Sequence, residues 1–480
     1  MYNKNFVHSA IQRFASAEIA TPAFSIYNGK TTVEIGYNQF AEDIMKVAAY
    51  FRERNIIHQH IALVAPNSYN WVVTALAIIA SGNVAVLMNY ELPEEILYWQ
   101  CEKADVSVIC GEKSNISTLG MNFAKTVHLC YDELKTEAHL TMDEISAAEP
   151  DETIIMMFTS GTTGKSKAVE ITSENLDYSL DNFKEQYTLP GMDRVFTPIP
   201  FYHILGFLHI IETLNYHHTV CIGRGIKYLF MDMAILNPTV LNTVPSIVDS
   251  LAKLLKNAKT VSERHKYIGS CLQSITFGGA VLNQATSKFL MDLGFSISVY
   301  YGMTEVSCTA TWGILDREHA ESAGKFCEYI RYRFQDGELM MTGPTLMKGY
   351  YKDEEETGRV IEGGWLHTGD LGYCDKDGFL YLTGRKKNVI ILSNGENVNP
   401  EEIEATLGAC TDILECMVFG DGKGICADVY AKDREVVQTF IRAYNDGMPM
   451  YRQIYKVNYS TEPLEKTGIG KIKRKENIYD

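Results

Sequence analysis

The sequence predicts an α/β protein built around parallel sheet, and three observations carry that reading. Short apolar runs that fit buried strands alternate with helix-period segments between residues 38 and 110. Strand ends that run into helix starts or glycine turns recur at 242–247, 274–280 and 298–305. Between these halves the apolar run Thr153-Ile-Ile-Met-Met-Phe158 enters a loop of glycines, hydroxyls and lysines, then returns to a strand pattern at Ala168-Val-Glu-Ile171. Strands that alternate with helices favour crossover connections, which build parallel sheets. With 480 residues the chain is long enough to bury a large core divided among two or more domains.

In chain order, a helix is expected near 7–17. Residues 21–26 and 32–35 read as a hairpin closed by Asn28-Gly29, a two-residue turn signal. Asn38 is placed to cap a helix over 39–54, where Phe40, Ile44, Val47, Ala48 and Phe51 keep helical spacing. A strand at 61–65, a helix at 70–81 and a strand at 84–88 follow. A helix then opens at Leu92-Pro-Glu-Glu, with proline and acids in its first turn, and a strand runs over 106–110. The 71–88 stretch is the most apolar, but Ser81-Gly82-Asn83 divides it. A membrane span needs about 20 predominantly apolar residues, so helix, turn and strand explain this stretch better. Residues 111–152 carry little signal.

Further on, Pro198-Ile-Pro-Phe-Tyr-His-Ile-Leu-Gly206 marks a strand end before an apolar helix over 205–214. The turn Asp375-Lys-Asp-Gly378 leads into a strand at 379–382. Another strand at 389–392 and a glycine turn at 394–395 precede Asn399, read as the cap of a helix with Pro400 first and Glu401-Glu402 in its first turn. Strands at 413–419 and 425–430 and a helix at 434–444 make a small α/β tail.

The loop Thr159-Ser-Gly-Thr-Thr-Gly-Lys-Ser-Lys167 has the chemistry that polyphosphate requires. Glycines admit close approach of backbone N–H groups, hydroxyls donate hydrogen bonds and lysines supply charge. It is not a Walker A loop. The first glycine of that motif falls on Thr159, and the following residues read as strand rather than helix. Taken alone, the loop also fits a solvated hairpin.

Apolar residues make up 46% of the chain and charged residues 22%. The formal net charge of −16 argues against coating nucleic acid or an anionic membrane, so an anionic substrate must be met by local basic groups. The eleven cysteines include no Cys-x-x-Cys pair, which fits reduced thiols and a cytoplasmic location. No long apolar segment follows Met1, so no signal peptide is expected. His209, His217 and His218 lack an acid or cysteine at ligand spacing, and a metal site there is rejected.

The 159–167 loop resembles the phosphate-binding signature of the adenylate-forming superfamily, which includes acyl-CoA synthetases, firefly luciferase and peptide-synthetase adenylation domains. Ser166 and Ala168 stand where the usual form has proline and glycine. Further motifs resemble the family in the right order: Phe201-Tyr-His203 with Gly206, Ser298-Val-Tyr-Tyr-Gly-Met-Thr-Glu305, Trp365-Leu-His-Thr-Gly-Asp370, Gly384-Arg-Lys-Lys387 through Glu404, and Pro463-Leu-Glu-Lys-Thr-Gly-Ile-Gly-Lys471. The resemblance implies a large N-terminal domain over 1–385, made of two α/β sheet subdomains and a β subdomain. A small mobile C-terminal α+β domain over 386–480 would follow it.

It also implies site roles. Thr159, Ser160, Gly161, Thr162, Thr163, Gly164 and Lys167 would hold the phosphates of ATP. His203 would lie between the acyl pocket and the thiol tunnel, although local sequence alone favours an ordinary core histidine. Tyr301 would stack on adenine, with the Gly278-Gly279 turn offering bare backbone to a flat base or acyl chain. Thr304 would contact the α-phosphate and Glu305 would hold Mg²⁺. Asp370 and Arg385 would take the ribose hydroxyls, Lys387 would be the interdomain hinge, and Lys471 would be the catalytic lysine. Read alone, Arg385-Lys-Lys387 is a solvated basic face and the 463–474 segment a loose tail. Tyr202 stands where amino-acid-activating members carry an aspartate, which argues against an α-amino acid substrate.

The implied activity is ATP-dependent activation of a fatty or aryl carboxylic acid to an acyl-adenylate, then thioester formation with CoA. Alternatives are a stand-alone ligase loading the phosphopantetheine of an acyl carrier protein, and a nucleotide-binding regulator without turnover.

Overall fold

The computed structural model describes residues 6–15, 20–116, 127–159, 166–182, 184–187, 191, 193–280, 282–392, 396–466 and 472–475. Among these residues the strands form two large mixed sheets, a smaller antiparallel sheet and, near the C-terminus, a short hairpin and a three-stranded sheet. The architecture is the expected α/β fold, with a large N-terminal part and a smaller C-terminal domain.

One large sheet runs Gly349–Tyr350, Lys167–Thr172, Thr153–Thr159, Val84–Leu87, His60–Leu63, Val106–Gly111, Val127–Cys130. Its four adjacent pairs from Thr153–Thr159 to Val127–Cys130 are parallel, and the two at the Lys167–Thr172 end are antiparallel. Helix Tyr69–Ala80 supplies a crossover, capped by the Ser68 side chain, so the 71–88 stretch is helix, turn and strand as its sequence implies. Among the described residues no helix is long and apolar enough to cross a membrane.

The second sheet runs Lys325–Phe326, Thr311–Ile314, Ser296–Tyr301, Ser274–Gly278, Val240–Thr243, Arg194–Phe196, Thr219–Ile222, Phe24–Tyr27, Thr32–Ile35. Its interior is parallel. The N-terminal hairpin thus belongs here, with Phe24 opposite Val220, and not with the early strands that follow it in sequence. Its connection is also longer than a two-residue turn. Tyr27 pairs with Thr32, and the Asn28 side-chain oxygen accepts from the N–H groups of Lys30 and Thr31 at 2.9 and 3.0 Å.

Two caps differ from expectation. Helix Tyr37–Glu53 begins before Asn38, with Gly36 at its N-cap. The buried Tyr37 decides this, because its hydroxyl donates to the His218 carbonyl at 2.6 Å and draws the residue into the first turn. Asn399 does stand at the N-cap of helix Pro400–Leu407, but its amide donates to the Glu402 carboxylate at 3.3 Å and its side chain takes no backbone N–H.

Helices Phe6–Phe14, Tyr37–Glu53, Tyr69–Ala80 and Ile204–Asn215 lie in one apolar cluster shared by both large sheets. Trp71, fully buried, meets the Phe201 ring edge-on at 5.6 Å and the Phe207 ring at 6.3 Å. Asn67 joins the same segments by polar bonds. Its amide donates to the Ile199 carbonyl and its oxygen accepts from the Phe201 N–H, both at 2.8 Å. The C-terminal sheet, Ile413–Gly420, Ile425–Ala431 and Ile454–Ser460, packs with helices Pro400–Leu407 and Arg434–Asp446 in its own apolar cluster.

Asn67→Leu leaves the Ile199 carbonyl and the Phe201 N–H without their partner. We expect a loss of about 1–3 kcal/mol, read by urea unfolding, together with a raised KM for the carboxylic acid that the resemblance implies as substrate, because the 201–203 segment loses its anchor. Unchanged stability and KM would contradict this bridging role.

Candidate active site

Parallel strands place loops at their carboxyl ends, and ligands of such sheets bind there. Three of the sequence-derived site positions stand at such ends, Thr159, Gly279 and Tyr301, and the turn after Tyr301 leads to two more, Thr304 and Glu305. Gly279 follows strand Ser274–Gly278 at φ +83°, a conformation glycine adopts freely, and a side chain there would meet nothing within 4 Å.

Tyr301, Asp370 and Arg385 are brought into direct contact. The Tyr301 hydroxyl donates to Asp370 Oδ2 at 2.7 Å. Arg385 Nε pairs with Asp370 Oδ1 at 2.5 Å. The Asp370–Arg385 contact follows from sheet register, since the two are cross-strand partners of Trp365–Cys374 and Leu380–Arg385. Asp370 is 4% exposed, so its carboxylate is held by charge-assisted bonds in a largely dry setting.

Thr304 and Glu305 sit on a turn that only glycine can open. A Cβ on Gly302 would stand 1.5 Å from the Cys308 carbonyl oxygen. The turn closes through Ser307 and Cys308, both at positive φ (51° and 97°), a strained backbone costing about 1–3 kcal/mol per residue. Glu305 is buried, and its Oε1 accepts from the Tyr350 hydroxyl at 2.9 Å. Lys167 Nζ lies 4.9 Å from the centre of the Tyr350 ring and pairs with Glu356. Glu305, Tyr350, Lys167 and Glu356 therefore form a chain from the glycine turn to the hairpin of strands Thr153–Thr159 and Lys167–Thr172, where Thr159 and Lys167 are opposite partners. A buried carboxylate with one oxygen fixed by Tyr350 is a hard oxygen donor of the kind Mg²⁺ takes.

His203 is half-buried at the N-cap of helix Ile204–Asn215. Its ring lies 5.2 Å from the Tyr202 ring, which in turn meets Tyr90 at 6.3 Å. Lys387 stands between two tethers. Lys386 pairs with Glu338 at 2.8 Å, whereas the Asn388 amide donates to Glu401 at 2.6 Å. Desolvation and the neighbouring Arg385 charge pull the Lys387 ammonium pKa below its usual value, with Arg474 and Lys167 adding weaker repulsion and Asp370 opposing. The charges of Arg385, Arg474 and Lys167 are thus all felt at Lys387, a local basic group in an acidic chain.

Ser160, Gly161, Thr162, Thr163, Gly164 and Lys471 lie outside the described residues. Tyr350 and Glu356 escaped the sequence reading. Their partners are 45 and 189 positions away, and no local pattern marks them.

This chain belongs to the AMP-binding enzyme family, which matches residues 11–351, and the AMP-binding enzyme C-terminal domain matches 387–479. Among its relatives, 2-succinylbenzoate–CoA ligase of Bacillus cytotoxicus is 28% identical over 87% of this chain and 88% of its own length. Long-chain-fatty-acid–CoA ligase FadD15 of Mycobacterium bovis is 25% identical over 79% of this chain and 74% of its own. The solved o-succinylbenzoate CoA synthetase of Bacillus subtilis, in complex with its acyl-adenylate intermediate, shares the fold with a TM-score of 0.82 at 24% identity, covering 97% of this chain and 96% of that one.

Asp370→Ala removes the group that fixes Tyr301 and Arg385. ATP affinity, measured by calorimetry, should fall by about tenfold or more. Unchanged affinity would exclude Asp370 from nucleotide binding.

Proposed function

We propose that this protein is an AMP-forming acid–CoA ligase, converting a carboxylic acid, ATP and CoA to an acyl-CoA, AMP and pyrophosphate. The observation that carries the reading is the contact set Tyr301–Asp370–Arg385, which joins the end of a strand of the second sheet to the β region, one turn from the buried carboxylate of Glu305. Relatives that bear acid–CoA ligase names over most of their length support it, as does a structural neighbour solved with ATP and magnesium ion.

In this reading the 159–167 loop, with Ser160, Gly161, Thr162, Thr163 and Gly164, cradles the triphosphate. The Tyr301 ring receives adenine beside the Gly279 turn, and Asp370 with Arg385 takes the ribose diol. Glu305, oriented by Tyr350, would hold Mg²⁺, which when bound would screen the phosphate charge. A carboxylate oxygen of the acid attacks the α-phosphorus, and the bond to pyrophosphate breaks, leaving an acyl-adenylate. Thr304 and Lys471 stabilise charge on the α-phosphate. Catalysis here is positioning and charge neutralisation. The CoA thiol, reaching the site past His203, then attacks the acyl carbon and AMP leaves.

The proposed domains are 1–385 and 386–480, with rotation about Lys387 between the two half-reactions. The tethers support this pivot: Lys386 is tied to the preceding β region and Asn388 to the following helix. A cytoplasmic location is supported by eleven free cysteines.

Incubation with MgATP, CoA and a panel of acids should give AMP and the matching acyl-CoA in equal amounts by mass spectrometry, and chelation of magnesium should abolish both. AMP without any thioester would contradict CoA as acceptor and point to a carrier protein. Lys471→Ala should lose about 100-fold in adenylate formation yet still convert preformed acyl-AMP and CoA to thioester. Lys387→Pro should do the reverse. Equal loss of both half-reactions in each variant would refute the two-conformation scheme.

A further inference from the structure

Asp370 stands on an irregular part of its strand. The pairing of Glu338–Thr342 with Trp365–Cys374 shifts register there: Met340 faces His367, whereas Glu338 faces Leu371. Thr368, Gly369 and Asp370 therefore stand opposite Leu339 alone. Such a bulge takes backbone N–H groups out of the ladder and re-aims side chains. Gly369 lies at φ +69°, a conformation glycine adopts freely. The bulge delivers the buried Asp370 carboxylate to Tyr301 and Arg385.

Side chains meet the N–H groups that the bulge sets free. The Thr368 hydroxyl accepts from the Asp370 N–H at 3.0 Å and donates to the Leu339 carbonyl at 2.7 Å. Glu338 Oε1 accepts from the Gly369 N–H at 3.1 Å. The other oxygen of the same carboxylate, Oε2, accepts from Lys386 Nζ at 2.8 Å and lies 3.4 Å from His367 Nδ1. His367 Nε2 in turn lies 3.5 Å from Glu362 Oε2. Glu338 thus grips the chain neighbour of Asp370 with one oxygen and the chain neighbour of Arg385 with the other.

A neutral side chain oxygen could also accept from the Gly369 N–H, and a buried charge is costly unless it is paired. Glu338 is 4% exposed. Burial pushes its carboxyl up, but Lys386, His367 and the Gly369 N–H together hold it below the usual carboxylate range, so it is ionised at neutral pH. What the charge adds is the pair with Lys386. That residue is exposed, so little packing holds it, and the pair ties the chain between Arg385 and Lys387 to strand Glu338–Thr342.

We propose that Glu338 is a positioning residue for the nucleotide. It braces the bulge that aims Asp370 and fixes the chain beside Arg385, so that the two side chains meet the ribose hydroxyls of ATP together. It acts through Gly369 and Lys386 and not on the nucleotide itself. This inference rests on the ligase reading above, in which Asp370 and Arg385 take the ribose diol.

The test compares ATP with 2′,3′-dideoxy-ATP, which lacks both ribose hydroxyls, by calorimetry on the full chain with magnesium. The unaltered protein should prefer ATP by about 100-fold. Glu338→Leu loses both contacts. It should lower ATP affinity by about tenfold and leave dideoxy-ATP affinity within about twofold, because only the diol contacts suffer. Glu338→Gln keeps an oxygen for the Gly369 N–H but gives up the ion pair, and should lower ATP affinity alone by about threefold. The glutamine variant decides the question if the leucine variant fails to fold. Unchanged ATP affinity in the folded variants, or equal losses for the two nucleotides as a merely structural role predicts, would overturn the inference and leave the ligase reading standing. An unaltered protein that binds both nucleotides equally would contradict the ribose role of Asp370 and Arg385 and, with it, the inference.

Discussion

The carboxylate of Asp370 is the constraint on which the site depends. It takes the Tyr301 hydroxyl on one oxygen and the Arg385 guanidinium on the other, while almost wholly out of water. A buried charge is tolerable only when paired and hydrogen-bonded, and both conditions are met by groups from separate parts of the fold. Tyr301 ends a strand of the second large sheet. Asp370 and Arg385 belong to the antiparallel β region. One carboxylate therefore anchors the Tyr301 hydroxyl and the strand end from which the C-terminal residues depart. The Lys386–Glu338 pair next to it ties the residue before Lys387, the proposed hinge, to the β region.

Much of this was legible in the chain because it is locally encoded. The loop after Phe158 fails as a Walker A motif for the reason its sequence implies: Lys167–Thr172 is a strand paired back on Thr153–Thr159. The Asp370–Arg385 pair follows from a hairpin whose turn, Asp375-Lys-Asp-Gly378, is plain in the sequence. What the sequence hid is tertiary. Asn38 has the higher capping propensity, but the buried Tyr37 hydroxyl needed the His218 carbonyl, and packing overrode the local preference. Strand Val127–Cys130 has a single buried residue and is only four residues long, too short for its alternation to reveal it. The parallel pairing of Phe24–Tyr27 with Thr219–Ile222 joins segments nearly two hundred positions apart, as do Lys167 and Glu356.

The electrostatics reconcile two facts that oppose each other at the level of composition. The chain carries a net charge of −16 and is read as binding a polyanion. Its field at long range does not favour ATP, so the attraction must be local. Lys167, Arg385 and Arg474 all act on Lys387 and are the candidates to supply it, with Lys167 moderated by Glu356 and Arg474 by Glu401 and Glu404. The strained turn from Gly302 to Cys308 carries the buried carboxylate of Glu305, the group proposed to meet a cation. Strain, burial and charge crowding thus concentrate where two sheets and the β region meet, and the rest of the molecule, with its large apolar cluster, holds them in place.

The most direct test of the account is exchange of labelled pyrophosphate into ATP in the absence of CoA. Reversible formation of an acyl-adenylate predicts exchange that requires both magnesium and a suitable carboxylic acid and needs no thiol. Exchange that proceeds without any acid, or no exchange with an acid that the enzyme converts to a thioester, would contradict an acyl-adenylate on the pathway.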